Sequence, residues 1–182
     1  RDETESAIAE FKGQIKGHLE VGGSTIPGTY ILPSMIGNFT SEFPDVSITL
    51  TIADTRKTIA AIISGKIELG VVGAASNHSD ISQISIVDDE LCLAVPAGHR
   101  WAKRKQLPSN ELFTEPFLLR ENGSGTLKTI QTCFSDAGLD IDDLNVVARI
   151  ASTEAIRQSI KSGLGVSILS TIAVSEDVAE KK

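Results

Sequence analysis

The sequence predicts an α/β protein of two lobes, each built from a parallel sheet with helices packed against it. Strand patterns alternate with helix patterns over residues 17–73, and the same order returns over residues 84–182. Such alternation indicates parallel strands, because a crossover helix must connect them. The composition agrees: 41% of the residues are hydrophobic but only 4% are aromatic, and Ile, Leu, Val and Ala suit strands that are buried on both faces.

The first lobe has the predicted order β-α-β-α-β. Pro27, preceded by hydroxyl residues, signals the start of the first helix, which carries one apolar stripe. Asp54 is a candidate cap for the second helix, and Gly65 ends that helix. The predicted strands are 18–21, 46–53 and 67–72.

The second lobe follows a polar, small-residue segment at 74–83 and repeats the order of the first. Gly138 and Gly163 end two of its predicted helices. Its predicted strands are 84–87, 90–95, 115–120, 145–150 and 165–169, with helices that begin near residues 126, 153 and 170.

Hydroxyl residues mark three predicted helix starts, which are Ser24-Thr25, Ser124 with Thr126, and Ser152-Thr153. A helix N-terminus exposes backbone N–H groups and a partial positive charge. In parallel sheets, ligands lie beyond the carboxyl ends of the strands, close to such helix starts. The segment 122–126 also carries two glycines that let an anion approach the backbone, so it is a candidate anion cradle.

Each of these residues has a second interpretation. Every Ser or Thr at a helix start could be an N-cap alone, which is the commonest role of such residues. Arg120, at the end of a strand, is either a ligand contact or a member of a structural ion pair. For Asp54 we favour an N-cap over a contact with a ligand amine.

Several classes of function are disfavoured. The net charge of −7 argues against nucleic-acid binding by this chain, and we expect Arg100, Lys103, Arg104 and Lys105 to form a solvated loop. No serine elbow, phosphate-binding loop, dinucleotide fingerprint or metal-ligand spacing occurs, so we predict no catalytic residue, metal or cofactor. No apolar run approaches the roughly 20 residues of a membrane span and no signal peptide is present, so a cytoplasmic protein is expected.

A series of motifs in a characteristic order covers residues 12 to about 175. They are Gly17-His-Leu-Glu-Val-Gly22, Ser24-Thr-Ile-Pro-Gly-x-Tyr30-Ile-Leu-Pro33, Phe39…Phe43-Pro-Asp-Val46, Gly65-Lys-Ile-Glu-Leu-Gly-Val-Val72, Leu91–Pro96, Arg120-Glu-Asn-Gly-Ser-Gly-Thr126 and Ser162-Gly-Leu-Gly-Val-Ser-Ile168. Together they resemble the effector-binding domain of LysR-type transcriptional regulators. The motif at 120–126 is similar to that of the subgroup regulating sulfur assimilation and carbon fixation.

The resemblance implies two Rossmann-like lobes, as in type 2 periplasmic binding proteins, with a small and, we expect, anionic effector in the cleft between lobes. It also implies a homodimer or tetramer formed through the lobes. DNA would be contacted only by an N-terminal winged helix-turn-helix that this chain lacks. The ligand-contact positions, with Arg120 added from the residue pattern, are Ser24, Thr25, Ile26, Ala53, Asp54, Gly73, Arg120, Ser124, Thr126 and Thr153.

The same resemblance sets the expected boundaries. Residues 1–16 would be the end of a linker helix, 17–88 lobe I and 89–182 lobe II, with the strand that returns to lobe I missing. The alternative function is a solute-binding protein of a transporter, which a signal peptide in the full gene would reveal. An enzyme on the same fold would instead require a catalytic base or metal cluster in the cleft.

Overall fold

A computed structural model describes residues 15–180 of the chain. The predicted end of a linker helix covers residues 1–16. Its residues 1–14 lie outside the described range. The chain divides after Ser82 into two compact units, called unit 1 and unit 2 below. The family-derived boundary after residue 88 stays a prediction.

Unit 1 is a three-stranded parallel sheet with helices between its strands. The strand order is β2-β1-β3, so β1 lies in the centre and pairs with both neighbours in parallel. A π-helical turn at Pro27–Ile31 precedes the first helix, because Leu32 N–H donates to the Pro27 carbonyl five residues back. The elements are β1 (Gly17–Ser24), α1 (Leu32–Glu42), β2 (Val46–Ala53), α2 (Thr55–Ile63) and β3 (Leu69–Val71).

The backbones of β1 and the π-helical turn touch. A Cβ atom built on Gly23 would lie 2.5 Å from the Gly28 Cα atom, closer than real side chains approach. Glycine at both positions therefore lets strand and turn approach to backbone contact. The contact holds the π-helical turn against the end of β1.

Unit 2 contains four strands, of which one runs against the others. β5 and β6 are parallel, and a parallel bridge from Phe117 to Val166 joins β5 to the chain just before β7. β4 pairs with β7 in the antiparallel sense. The elements are β4 (Leu91–Ala94), a 3₁₀ turn (Ser109–Thr114), β5 (Phe117–Arg120), α3 (Gly125–Asp136), a 3₁₀ turn (Ile141–Asp143), β6 (Val146–Ile150), α4 (Thr153–Lys161), β7 (Ser167–Ser170) and α5 (Thr171–Glu180).

The core of unit 2 has one cluster on each face of β5. Phe117 and Leu119 pack with Trp101 and α3, while Leu118 packs with Ile156 and other side chains of α4, β7 and α5. All four β5 residues are buried, as expected for a strand covered on both faces. Strand β5 therefore places its last residue, Arg120, at the edge of a rigid core.

The predicted α/β class is confirmed, whereas one predicted strand is wrong. Residues 81–90 form no strand, and Ile84, Ile86 and Val87 are 84%, 48% and 50% exposed. Alternating apolar residues are not sufficient, since a strand requires a neighbour that accepts and donates its backbone hydrogen bonds. Across residues 15–180, no helix is both long and apolar enough to cross a bilayer.

Candidate functional site

Unit 1 brings four of the predicted contact positions to one edge of its sheet. Ser24 and Ala53 are paired in register at the ends of β1 and β2, and Asp54 follows directly. Gly73 lies just beyond β3, and its N–H donates to Ser24 Oγ at 3.0 Å. Because the three strands are parallel, their carboxyl ends meet at this edge.

Of the two interpretations of Ser24, the N-cap is not what the structure shows. Ser24 is the last residue of β1, and its side chain accepts from Gly73 N–H instead of from the following turn. At Ile26, where the π-helical turn begins, no side-chain cap is formed. Buried Ser24 thus joins the end of the central strand to the segment beyond β3, and Thr25 and Ile26 continue from it into the turn.

Asp54 is the N-cap of α2, as predicted. Its Oδ1 accepts from Lys57 N–H at 2.8 Å, and its Oδ2 forms an ion pair with Lys57 Nζ at 3.0 Å. Burial by itself raises the pKa of Asp54, but the hydrogen bond and the charge of Lys57 outweigh it and hold the pKa below its ordinary value. The carboxylate is therefore ionised near pH 7, with both oxygens in contact with Lys57.

Unit 2 places two helix starts side by side at the corresponding edge. β5 and β6 are parallel and in register from Leu118 to Arg120, and each is followed by a helix, α3 after residues 121–124 and α4 after residues 151–152. Ser124 caps α3 through a long bond of 3.4 Å from Leu127 N–H. Ser152 caps α4 through a bond of 3.2 Å from Ala155 N–H. Two sets of free backbone N–H groups therefore point beyond the same edge.

Thr126 and Thr153 are not the capping residues of these helices. Thr126 follows Gly125 in the first turn of α3 and is half-buried, whereas Thr153 is the first residue of α4 and is 1% exposed. Neither hydroxyl accepts from its own helix start, since Ser124 and Ser152 do so. Both threonines are thus available for contacts other than capping.

Arg120 links the end of β5 to the start of α4. Its Nη1 donates to Thr153 Oγ1 at 2.7 Å, and its Nη2 donates to the Ala151 carbonyl at 3.1 Å. Its Nε and Nη2 also bind both carboxylate oxygens of Glu121, at 2.8 and 3.0 Å. Of the two roles left open by the sequence, the structure contains the ion pair; the contact with a ligand stays a prediction.

The charge of Arg120 is buried and compensated. The residue is 2% exposed, and a buried guanidinium without a partner would cost several kcal/mol. The pair of bonds to Glu121 compensates the charge, and two further N–H groups donate to Thr153 and Ala151. Arg120 therefore holds the end of β5 to the start of α4 through buried hydrogen bonds.

Sequence reasoning missed three parts of these edges. Glu121 and the Ala151 carbonyl hold Arg120, and Thr55, the first residue of α2, is buried as Thr153 is. A signal for Thr55 was present, because Asp54-Thr55 and Ser152-Thr153 share the order of cap and threonine. No local signal marks Ala151, since its contact depends on how β5 and β6 pair.

Backbone N–H groups and hydroxyls are present at both edges. In the described part of the chain, no three His, Cys, Asp or Glu side chains are grouped so that they could hold a metal ion. The backbone N–H groups and hydroxyls at the edges suit the oxygens of an anion. Whether the predicted contact residues bind a ligand stays a prediction.

Comparison with known proteins gives a family. The model of the LysR substrate binding domain matches residues 12–182. The "Probable RuBisCO transcriptional regulator" of Synechocystis sp. is 31% identical over 179 residues, which are 97% of this chain and 52% of that protein. The HTH-type transcriptional activator CmpR of Synechocystis sp. is 30% identical over 174 residues, covering 96% and 56%.

A solved structure agrees with these relatives. The regulatory domain of CcmR from Synechocystis PCC6803, described in complex with 2-PG, is 26% identical with a TM-score of 0.79, covering 87% of this chain and 74% of that one. The chain spans about half the length of the curated relatives it matches, and those relatives are transcriptional regulators. The chain therefore belongs to the LysR substrate-binding domain family.

Proposed function

We propose that the chain is the effector-sensing domain of a cytoplasmic LysR-type transcriptional regulator, and that it binds a small anion at its strand-end edges without catalysing a reaction. The observation that carries this proposal is the pair of helix starts in unit 2, α3 and α4, with buried Arg120 hydrogen-bonded to Thr153 at the start of α4. The net charge of −7 favours operator contact through another part of the parent protein. The regulator would assemble as a homodimer or tetramer.

An anion is favoured by the electrostatics of each edge. Helix N-termini carry a partial positive charge, and their free N–H groups stabilise negative oxygens most strongly where water is displaced. In unit 2, Thr153 and Ser124 add buried hydroxyls to the N–H groups of α3 and α4. In unit 1, Ser24 and the start of α2 provide the same combination.

The relatives support a small-molecule effector. The CcmR regulatory domain, at 26% identity, is described with 2-PG bound, which makes 2-PG a first ligand to test. Sulfate, thiosulfate, phosphate and small carboxylates extend the set to anions of other shapes. Isothermal titration calorimetry of the 182-residue chain would measure each dissociation constant directly.

The variants Thr126→Ala and Ser24→Ala test the site with the anion that binds best. Loss of one hydrogen bond to a charged ligand should weaken binding by roughly tenfold or more. Thr132→Ala is the matched control, because Thr132 is an exposed residue of α3 that donates only within its helix. If no anion binds, or if both site variants bind as tightly as the control, the proposal is wrong.

A further inference from the structure

A cluster of polar side chains lies at the amino-terminal end of the unit 1 sheet. The parallel register of β1 and β2 sets His18 beside Ser47 and Glu20 beside Thr49, near the start of both strands. Residues two apart on a strand point to the same face, so the four side chains share one face of the sheet. The cluster is thus at the other end of β1 and β2 from the strand ends where we propose that an anion binds.

The ring of His18 lies between a hydroxyl and a carboxylate. Its Nδ1 is 2.8 Å from Ser47 Oγ, and its Nε2 is 3.0 Å from Glu20 Oε1 and 3.1 Å from Thr49 Oγ1. A carboxylate oxygen only accepts hydrogen bonds, so Nε2 carries the hydrogen of the neutral ring. Nδ1 is then the acceptor and faces the Ser47 hydroxyl.

The Ser47 hydroxyl has two acceptors within reach. Besides His18 Nδ1 at 2.8 Å, the Gly17 carbonyl oxygen lies 3.3 Å away. The shorter contact is the stronger one, because hydrogen bonds between oxygen and a good acceptor weaken as they lengthen beyond about 3 Å. The proton of Ser47 is therefore directed at the imidazole.

The cluster is open to solvent. Ser47 and Thr49 are exposed, and the side chains of His18 and Glu20 are 48% and 37% exposed. A small molecule can consequently approach Ser47 Oγ without any movement of the sheet.

Hydroxyl, imidazole and carboxylate in this order activate a serine. The imidazole takes the proton as the oxygen attacks, and the carboxylate orients the ring and stabilises the imidazolium that forms. We propose that Ser47 is a nucleophile, with His18 as its base and Glu20 as a positioning residue, and that it accepts acyl groups from activated carboxylic esters.

The step is one acyl transfer per chain. Ser47 Oγ forms a bond to the carbonyl carbon of the ester, and its proton moves to His18 Nδ1. The bond from that carbon to the aryl oxygen breaks, the aryl oxide leaves with the bonding electron pair, and the imidazolium returns its proton to water. The product is an O-acyl serine, a covalent modification that goes beyond the proposed effector binding and is independent of it.

Acetylation of the 182-residue chain by p-nitrophenyl acetate tests the proposal. Samples quenched at successive times and analysed by peptide mass spectrometry give the acetylation rate of each serine separately. Ser41 and Ser64 are internal controls, because both are exposed and donate to a helix carbonyl instead of to an imidazole. Ser47 should react about 100-fold faster than either, since a positioned general base contributes at least that much.

Variants at exposed positions separate the roles. His18→Gln should lower the Ser47 rate about 100-fold, to that of the control serines. Glu20→Gln keeps the size of the side chain but removes its charge and should lower the rate about tenfold, whereas Glu20→Asp keeps the charge and should retain more of the rate. Glu68→Gln is the charge-matched control: Glu68 accepts from Glu20 N–H at 2.8 Å, away from the imidazole, and its loss should leave the rate unchanged.

The outcomes that would overturn the proposal are equally direct. They are a Ser47 rate equal to that of Ser41 and Ser64, a rate unaffected by His18→Gln, or acetyl groups that reach the His18 ring but not Ser47. Equal losses for Glu20→Gln and Glu68→Gln would show that Glu20 does not position the ring.

Discussion

Unit 1 and unit 2 hold their sheets and helices together in different ways. In unit 1 the contacts are made by backbone: Gly23 meets Gly28, and a Cβ on Gly22 would lie 2.3 Å from Ile67 Cδ1. In unit 2 they are made by large side chains, with Phe117, Leu118 and Ile156 all at 0% exposure. We therefore expect the stability of unit 1 to fall most when a side chain is added at a glycine. The stability of unit 2 should fall most when a core side chain is truncated.

The same contrast holds at the two edges. Unit 1 joins its segments by a neutral bond from Gly73 N–H to Ser24, while unit 2 uses the buried guanidinium of Arg120. Both place helix starts beyond parallel strands. Segments at equivalent edges can thus be joined by a neutral bond or by a charged one.

The largest effect is expected from removing a core ring of unit 2. Phe117→Ala should lower the free energy of unfolding by about 3–5 kcal/mol, because it leaves a cavity beside β5. Trp101 is the single tryptophan and belongs to the same cluster, so its fluorescence during urea unfolding reports unit 2. The truncation Val21→Ala in unit 1 should cost less, and an equal cost would contradict the contrast between the units.

The next effect comes from adding one methyl group in unit 1. Gly23→Ala should lower the free energy of unfolding by about 1–3 kcal/mol, since the new Cβ would meet the backbone of Gly28. Gly37→Ala in α1 is the control, because nothing lies within 4 Å of its Cβ and alanine favours a helix. Urea unfolding followed by circular dichroism distinguishes them; a harmless Gly23→Ala would show that the backbone contact is not required.

The smallest effect concerns a charged link of unit 2. Asp177 on α5 accepts from Arg157 Nη2 at 2.8 Å and from Lys161 Nζ at 2.6 Å, both on α4. Burial raises the pKa of Asp177, but its hydrogen bonds and the charges of Lys161 and Arg157 outweigh it, so the pKa lies below its ordinary value. Since the folded state holds the ionised form, the resulting stability is present near pH 7 and is lost as the pH falls below about 4.

Asp177→Asn should therefore lower the free energy of unfolding by about 1 kcal/mol at pH 7 and by less at pH 3. Urea unfolding at the two pH values measures this difference. Glu176→Gln, on the exposed neighbouring position, is the control and should change stability little at either pH. A loss for Asp177→Asn that is equal at both pH values would contradict a charged link.

Features with local causes were predicted well. The caps at Asp54, Ser124 and Ser152 each accept from an N–H three residues ahead, so the sequence around them contains the whole interaction. The parallel pairing of β1 with β2 and of β5 with β6 follows from the crossover helices between them. The helix starts that form the candidate site were therefore visible before the structure.

The amino-acid sequence by itself determined the α/β class, the order of strands and helices, and the positions of those helix starts, because periodicity and capping act within a few residues. Only the tertiary structure decided that Ser24 accepts from Gly73 and that Arg120 donates to Thr153. It also decided that β4 runs antiparallel to β7 and that residues 84–87 form no strand. Each of these depends on a partner far along the chain, or on the lack of one, and local spacing carries no information about such partners.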